Sequence, residues 1–233
     1  MDSNSSEILA LPHGPARIEW RRSTRARRVS LRIDPREGAV VVTLPPRAGR
    51  TAGMALLMDH AAWVSARLAA LPGAIEFGDG ALVPLHGREL RIRHVAGARG
   101  TVWVEGDQLR VAGNPEFLAR RVGDFFRAEA RRSFATLVAT KAAMADVRPR
   151  RLTVKDTRSR WGSCASSGNL AFSWRLVMAP RFVQDYVASH EVAHLRHMNH
   201  GARFWSLVET LTPHTSAAVE WLRAEGPRLL RVG

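Results

Sequence analysis

Polar and apolar positions change rhythm twice along the chain. From "ARIEWRR" through "RRVSLRID" to "AVVVTLPP", short β-branched runs alternate with charge and are broken by turn residues such as "DPREG", a pattern that predicts strands and reads as an antiparallel meander. "TAGMALLMDHAAWVSARLAAL" then switches to helical spacing, with Met54, Leu57, Met58, Ala61 and Val64 as one stripe. "ALVPLHGRELRIRHV", "TVWVEG" and "QLRVAG" return to strands joined by glycine turns. At "GNPEFLARRVGDFFRAEARRSFATLVATKAAMAD" a long helix is predicted. Asn114 is placed to cap it, Pro115 suits its first turn, and Leu118, Val122, Phe126, Phe134 and Leu137 carry its stripe. "RLTVKD" and "NLAFSWRLV" read as two more strands, and the rest as helices.

These elements predict an α+β fold, with a strand-rich amino-terminal part followed by a helical part with a small sheet. The expected division is a loose tail over 1–14, a strand-rich subdomain over 15–113 and a helical domain over 114–233, with no internal repeat.

A last helix-spaced stripe is chemically unusual. Pro180 offers a helix start, and Val183, Val187, His190, His194 and His197 follow at i, i+4, i+7, i+11 and i+14. Imidazole is buried less readily than the leucine or valine such positions expect, so several in succession require compensation. A divalent ion provides it. His190 and His194 lie one turn apart, roughly 40° round the axis and about 6 Å along it, so both rings reach one ion from one side. Glu191 sits about 100° away, placed to touch a water on that ion rather than the ion itself. "HEVAH" thus fits H-E-x-x-H, two ligands and a base. For the third ligand, His197 lies about 10 Å along the axis from His190, which strains convergence. Asn199 tolerates a left-handed helix end and Gly201 follows, so a chain reversal would return His200, which is the expected third ligand. His197 is then a rim residue or a plain hydrogen-bonded histidine.

Composition narrows the setting. The 233 residues are 45% hydrophobic and 24% charged, enough for a packed core. Cys164 is the single cysteine, which rules out an internal disulfide and a four-cysteine zinc site. The start has no secretory pattern, and the longest apolar stretch is interrupted by Asp59, His60 and Arg67, so a cytoplasmic protein without a membrane partner is expected. The net charge of +14 is almost all arginine spread along the chain, which admits nucleic acid as a partner without specifying it.

"RSRWGSC" (158–164), "NLAFSWRLVMAP" (169–180), "DYVASHEVAHLRHMNH" (185–200) and "FW" (204–205) together closely resemble the YgjP-like metallopeptidase domain, zincins related to the SprT-like proteases. The resemblance implies one Zn²⁺ held by His190, His194 and His200, with Glu191 as catalytic base and a protein or peptide as substrate. It also implies a link to nucleic acid, since some SprT-like enzymes cut proteins attached to DNA. The alternatives are a basic nucleic-acid-binding module with a structural zinc and a zinc hydrolase of a non-protein amide. Tyr186 as an oxyanion donor, Arg160 and Trp161 as cleft residues, Cys164 as a small buried residue and Glu209 as a partner of a ligand imidazole complete the candidates. "NLAFSWRLV" is expected to present an edge strand to an extended substrate. Oligomeric state is not legible.

Overall fold

The computed structural model describes residues 4–12, 14–98, 100–157 and 160–233. The fold is α+β, and the chain divides into two compact units, 1–73 and 74–233.

In the first unit, β1 (Asn4–Leu11), β2 (Gly14–Arg22), β3 (Ser30–Asp34) and β4 (Ala39–Leu44) form one sheet in the order β1-β2-β4-β3. The residues expected to be a loose tail thus form a strand from Asn4, paired along its length with β2. The expected meander is also corrected, because β4 inserts between β2 and β3 and runs parallel to β2. The cause is visible in β4 itself: Ala39, Val40, Val41, Val42 and Leu44 are all buried, the near-continuous apolar run of a central strand covered on both faces. The predicted helix over 51–71 is broken at His60 into α1 (Arg50–Asp59) and α2 (Ala61–Ala69). Leu57, Ala61 and Val64 of its stripe are buried, whereas Met58 is exposed. A Cβ on Gly53 would come within 2.6 Å of the Trp20 ring, so glycine lets α1 settle onto the sheet.

The second unit opens with a sheet of the same topology. β5 (Leu82–Leu85), β6 (Arg88–Val95), β7 (Val102–Glu105) and β8 (Gln108–Ala112) adopt the order β5-β6-β8-β7, again with a parallel central pair. Val83, Leu90, Ile92, Leu109 and Val111 pack into one core with Leu118, Val122, Phe126, Phe134 and Val138 of α3 (Leu118–Met144). The boundary expected near residue 114 is therefore a seam inside a single core, and the division falls between Gly73 and Ala74 instead. Asn114 accepts a hydrogen bond from the Glu116 N–H at 3.0 Å, capping a one-turn 3-10 helix that leads into α3.

The third sheet consists of β9 (Arg151–Lys155), β10 (Gly162–Cys164) and β11 (Asn169–Ser173), in the order β10-β11-β9. β11 is its centre, parallel to β9 and antiparallel to β10. Phe172 of β11 stacks on Phe134 of α3 with centroids 4.5 Å apart. Helices α4 (Arg181–Ala193), α5 (Ala202–Leu211) and α6 (Thr215–Leu230) complete the unit. No helix among the described residues is long and apolar enough to cross a membrane.

Two buried polar connections hold α4. Lys141 of α3 donates from Nζ to Asp185 of α4 and to the Leu211 carbonyl ending α5, both at 2.7 Å. Gln184 of α4 donates to the Ala179 carbonyl and accepts from the Ser133 hydroxyl. Its amide nitrogen also faces Nδ1 of His86 at 3.0 Å, while His86 Nε2 faces Glu129 at 3.0 Å. His86 and Gly87, both at positive φ, form the two-residue turn joining β5 to β6. One neutral tautomer satisfies both contacts, with Nδ1 accepting from Gln184 and Nε2–H donating to Glu129. Burial holds the His86 pKa below its usual 6.5, outweighing the raising effect of Glu129. Because the folded value lies below the unfolded one, stability from neutral His86 is present above pH 6.5 and is lost as pH falls below it. Urea midpoints should consequently fall more between pH 7 and pH 5 in the parent chain than in His86→Asn, which keeps a residue tolerant of left-handed φ; equal pH dependence would refute the neutral-histidine link.

Candidate metal centre

Helix α4 starts after Pro180, where a proline carries no N–H to lose, and buries Val183, Val187 and Val192 in the core. It ends at Ala193, six residues before the Asn199 turn that the sequence suggests. The chain closes through tight bonds from Leu195 N to Val192 O (2.9 Å) and from Arg196 N to Ala193 O (3.1 Å). Among the described non-glycine residues only His86 and Asp146 have positive φ, so Asn199 does not use the left-handed conformation, and Gly201 is extended at φ −78° as the cap of α5. The reversal is thus earlier and tighter than expected.

It brings His200 back to His190 and His194, whose ligand nitrogens and that of His200 all lie within 4.8 Å of one another. His190 Nε2 and His200 Nε2 face each other at 3.2 Å. Tetrahedral bonds of about 2.0–2.1 Å would separate two imidazole nitrogens on one zinc ion by roughly 3.4 Å, so this pair fits a shared ion. His194 Nδ1 lies 3.1 Å from the His197 carbonyl; a carbonyl can only accept, so Nδ1 carries the proton and Nε2 keeps a free lone pair. His197 contributes its backbone, and its ring is not part of the cluster. Among the described residues His190 Nδ1 is buried without a hydrogen-bond partner, and a divalent cation on the other nitrogen would offset the cost of burying the ring. Burial, then the neighbouring His194 and His200, lower the His190 pKa to about 4, and burial lowers that of His194, so both rings present neutral lone pairs. The donor set fits a divalent ion.

Phe204 of α5 lies beneath all three rings. Its centroid is 5.0 Å from His190, 4.5 Å from His194 and 4.7 Å from His200, and it is fully buried. Trp205 stacks beside His200 at 5.8 Å. Chemistry-directed reading gives Phe204 no role; the available signal is its position on the most amphipathic helix, four residues after His200.

Glu191 is buried, and no hydrogen-bond donor reaches its carboxylate among the described residues. Burial raises its pKa to about 7, with Arg160 pulling the other way. It packs against β10, the edge of the third sheet: a Cβ placed on Gly162 would lie 2.5 Å from Glu191 Oε1 and 2.6 Å from Cγ. Burial, then the Glu191 charge, raise the Cys164 and Tyr186 pKa values, which places both near the carboxylate. Tyr186 packs edge-on against His190 at 5.9 Å. Glu209 is exposed on α5 and makes no bond to a ligand imidazole among the described residues. "NLAFSWRLV" contains the central strand rather than the edge, so the edge strand that faces the site is β10. Positions 158 and 159 of "RSRWGSC" lie outside the described residues.

The YgjP-like metallopeptidase domain model matches residues 27–225, most of the chain. The chain belongs to the YgjP-like metallopeptidase family. No curated protein matches the sequence. Among solved structures it is similar to the metallopeptidase zymogen of Pyrococcus abyssi abylysin, at 16% identity and a TM-score of 0.36, over 40% of this chain and 92% of that one. Family membership makes the chain a metallopeptidase, and in the structure the three histidines are the group suited to hold the metal. Replacing Phe204 by alanine should cost about 3–5 kcal/mol in denaturant unfolding and weaken metal retention against a chelator, because the plate under the three rings is removed. Unchanged metal affinity would show that the rings hold their places without it.

Proposed function

We propose that this chain is a zinc-dependent endopeptidase in which His190, His194 and His200 hold one Zn²⁺ and Glu191 is the general base. The observation that carries this reading is the convergence of three imidazoles beside a buried carboxylate that no donor reaches among the described residues. Three imidazole nitrogens suit zinc among the common divalent ions. When bound, such an ion lowers the pKa of a water to about 7 and polarises a peptide carbonyl. Glu191 takes the attacking water's proton on a carboxylate oxygen and delivers it to the departing amide nitrogen. Its proton affinity near neutrality suits both halves of that transfer.

Chain-specific features support a peptide substrate. Among the described residues β10 is an edge strand, so an extended segment can add to it through backbone bonds, and Glu191 packs against this same strand at Gly162. Trp205, partly exposed beside His200, forms part of the rim. A structural zinc would call for a fourth protein donor, and the cluster contains three among the described residues. The site therefore supports hydrolysis over a nucleic-acid module built around a closed metal.

Zinc-loaded protein should cleave a denatured-protein digest read by mass spectrometry, and a chelator should stop it. Glu191→Gln should keep one zinc per chain while kcat falls by a factor on the order of 1,000. His200→Ala should lose the zinc. Full activity in Glu191→Gln would remove the proposed base, and cleavage confined to non-peptide amides would move the substrate class. Substrates with N-methylated backbone positions flanking the cleaved bond should be cut far more slowly, and equal rates would rule out pairing with β10.

A further inference from the structure

We propose that Gly162 is a positioning residue for the reaction: its missing side chain is the space in which Glu191 is seated against strand β10. The inference rests on the reading of Glu191 as general base, and its packing half is testable without that reading. Gly162 lies in a strand, and its backbone is outside the left-handed region that would require glycine. Glycine in a strand interior is destabilising relative to alanine. Conformation therefore does not account for it, whereas the neighbour does. An added Cβ would meet Glu191 Oε1 at 2.5 Å, Cγ at 2.6 Å and Cδ at 2.8 Å.

The contact with Cγ decides the consequence. A clash confined to the carboxylate tip is relieved by a small rotation, but Cγ is one bond from Cβ and moves only if χ1 changes. Helical side chains have two usable χ1 wells, so relief means swinging the whole carboxylate to the other. The strand cannot give way freely either: Gly162, Ser163 and Cys164 are in register with Phe172, Ala171 and Leu170 of β11, and Leu170 and Phe172 are fully buried. The methyl group thus displaces Glu191 rather than β10. A misplacement of about 1 Å in a catalytic group lowers turnover by a factor on the order of 100.

Four proteins test this: the parent, Gly162→Ala, Glu191→Ala and the double variant, each melted without metal and with zinc, with kcat and KM measured on a peptide recovered from the digest. Gly162→Ala should bind one zinc per chain with KM within about threefold of the parent and kcat about 100-fold lower. Its thermal midpoint should drop by about 3 °C or more, whereas the double variant should melt within about 1 °C of Glu191→Ala, because the group that met the methyl is gone. If Gly162→Ala alone fails to fold while the double variant folds, the contact is likewise supported. Parent-like kcat in Gly162→Ala, equal midpoint drops in both backgrounds, or failure of both variants to fold would overturn the inference. Full activity in Glu191→Gln would instead overturn the general-base reading while leaving the melting comparison intact.

Discussion

Three imidazoles can share one ion only if the two helices and the turn that carry them are held to within a fraction of an ångström. Ring rotation alone cannot supply that. His190 and His194 come from the last turn of α4 and the residue that ends it, His200 from the turn before α5, and Phe204 from α5 itself. The spacing between α4 and α5 is therefore the quantity that the rest of the second unit has to fix. Lys141 does much of this directly, since its ammonium sits on Asp185 of one helix and on the terminal carbonyl of the other. A cation at the carbonyl end of α5 also meets the negative end of that helix's dipole. Beside it, Gln184 ties the start of α4 to the strand turn at His86 and to Ser133 of α3. Helix α4 is thus pinned near its start by buried polar bonds from Gln184 and Asp185, and Val183, Val187 and Val192 pack into the core.

The legibility of this arrangement differs by level. Helical and strand periodicity are local, and α3, α4 and most strands can be read from them together with the Asn114 cap and the Pro180 start. Strand order depends on which neighbours meet, and alternation along one strand is silent about that. The clue to the parallel centre of the first sheet was the near-continuous apolar run of β4, which an antiparallel meander with one wet face does not require. Similarly, the boundary anticipated near 114 followed a change of rhythm from strand to helix, but a core is shared by whatever packs together. β5 to β8 and α3 change rhythm while burying the same surface.

The two four-stranded sheets share a strand order and a parallel central pair without a visible sequence repeat. This is understandable physically. The topology demands a hairpin, a crossing into the centre and a second hairpin, and each demand is met by burial pattern and turn chemistry that different side chains can satisfy. β4 meets it with five buried aliphatic residues and β8 with Leu109, Val111 and Ala112. What persists is the pattern of inside and outside positions, which tolerates wide change in residue identity.

At the site itself, the residues with reactive groups were legible and the residues that shape the space around them were not. A search for ligands and bases finds imidazoles and a carboxylate because those groups are rare on a buried stripe. It passes over Phe204, one aromatic among several, and over Gly162, whose contribution is the volume it leaves empty. Glu191 illustrates why such residues carry equal weight in the chemistry. Its tendency to hold a proton near neutrality comes from burial, and burial requires a wall close enough to exclude water. β10 is that wall, and it can approach so closely only where it has no side chain. The carboxylate and the glycine are thus two parts of one feature, an acidic group kept dry against a strand that leaves it room.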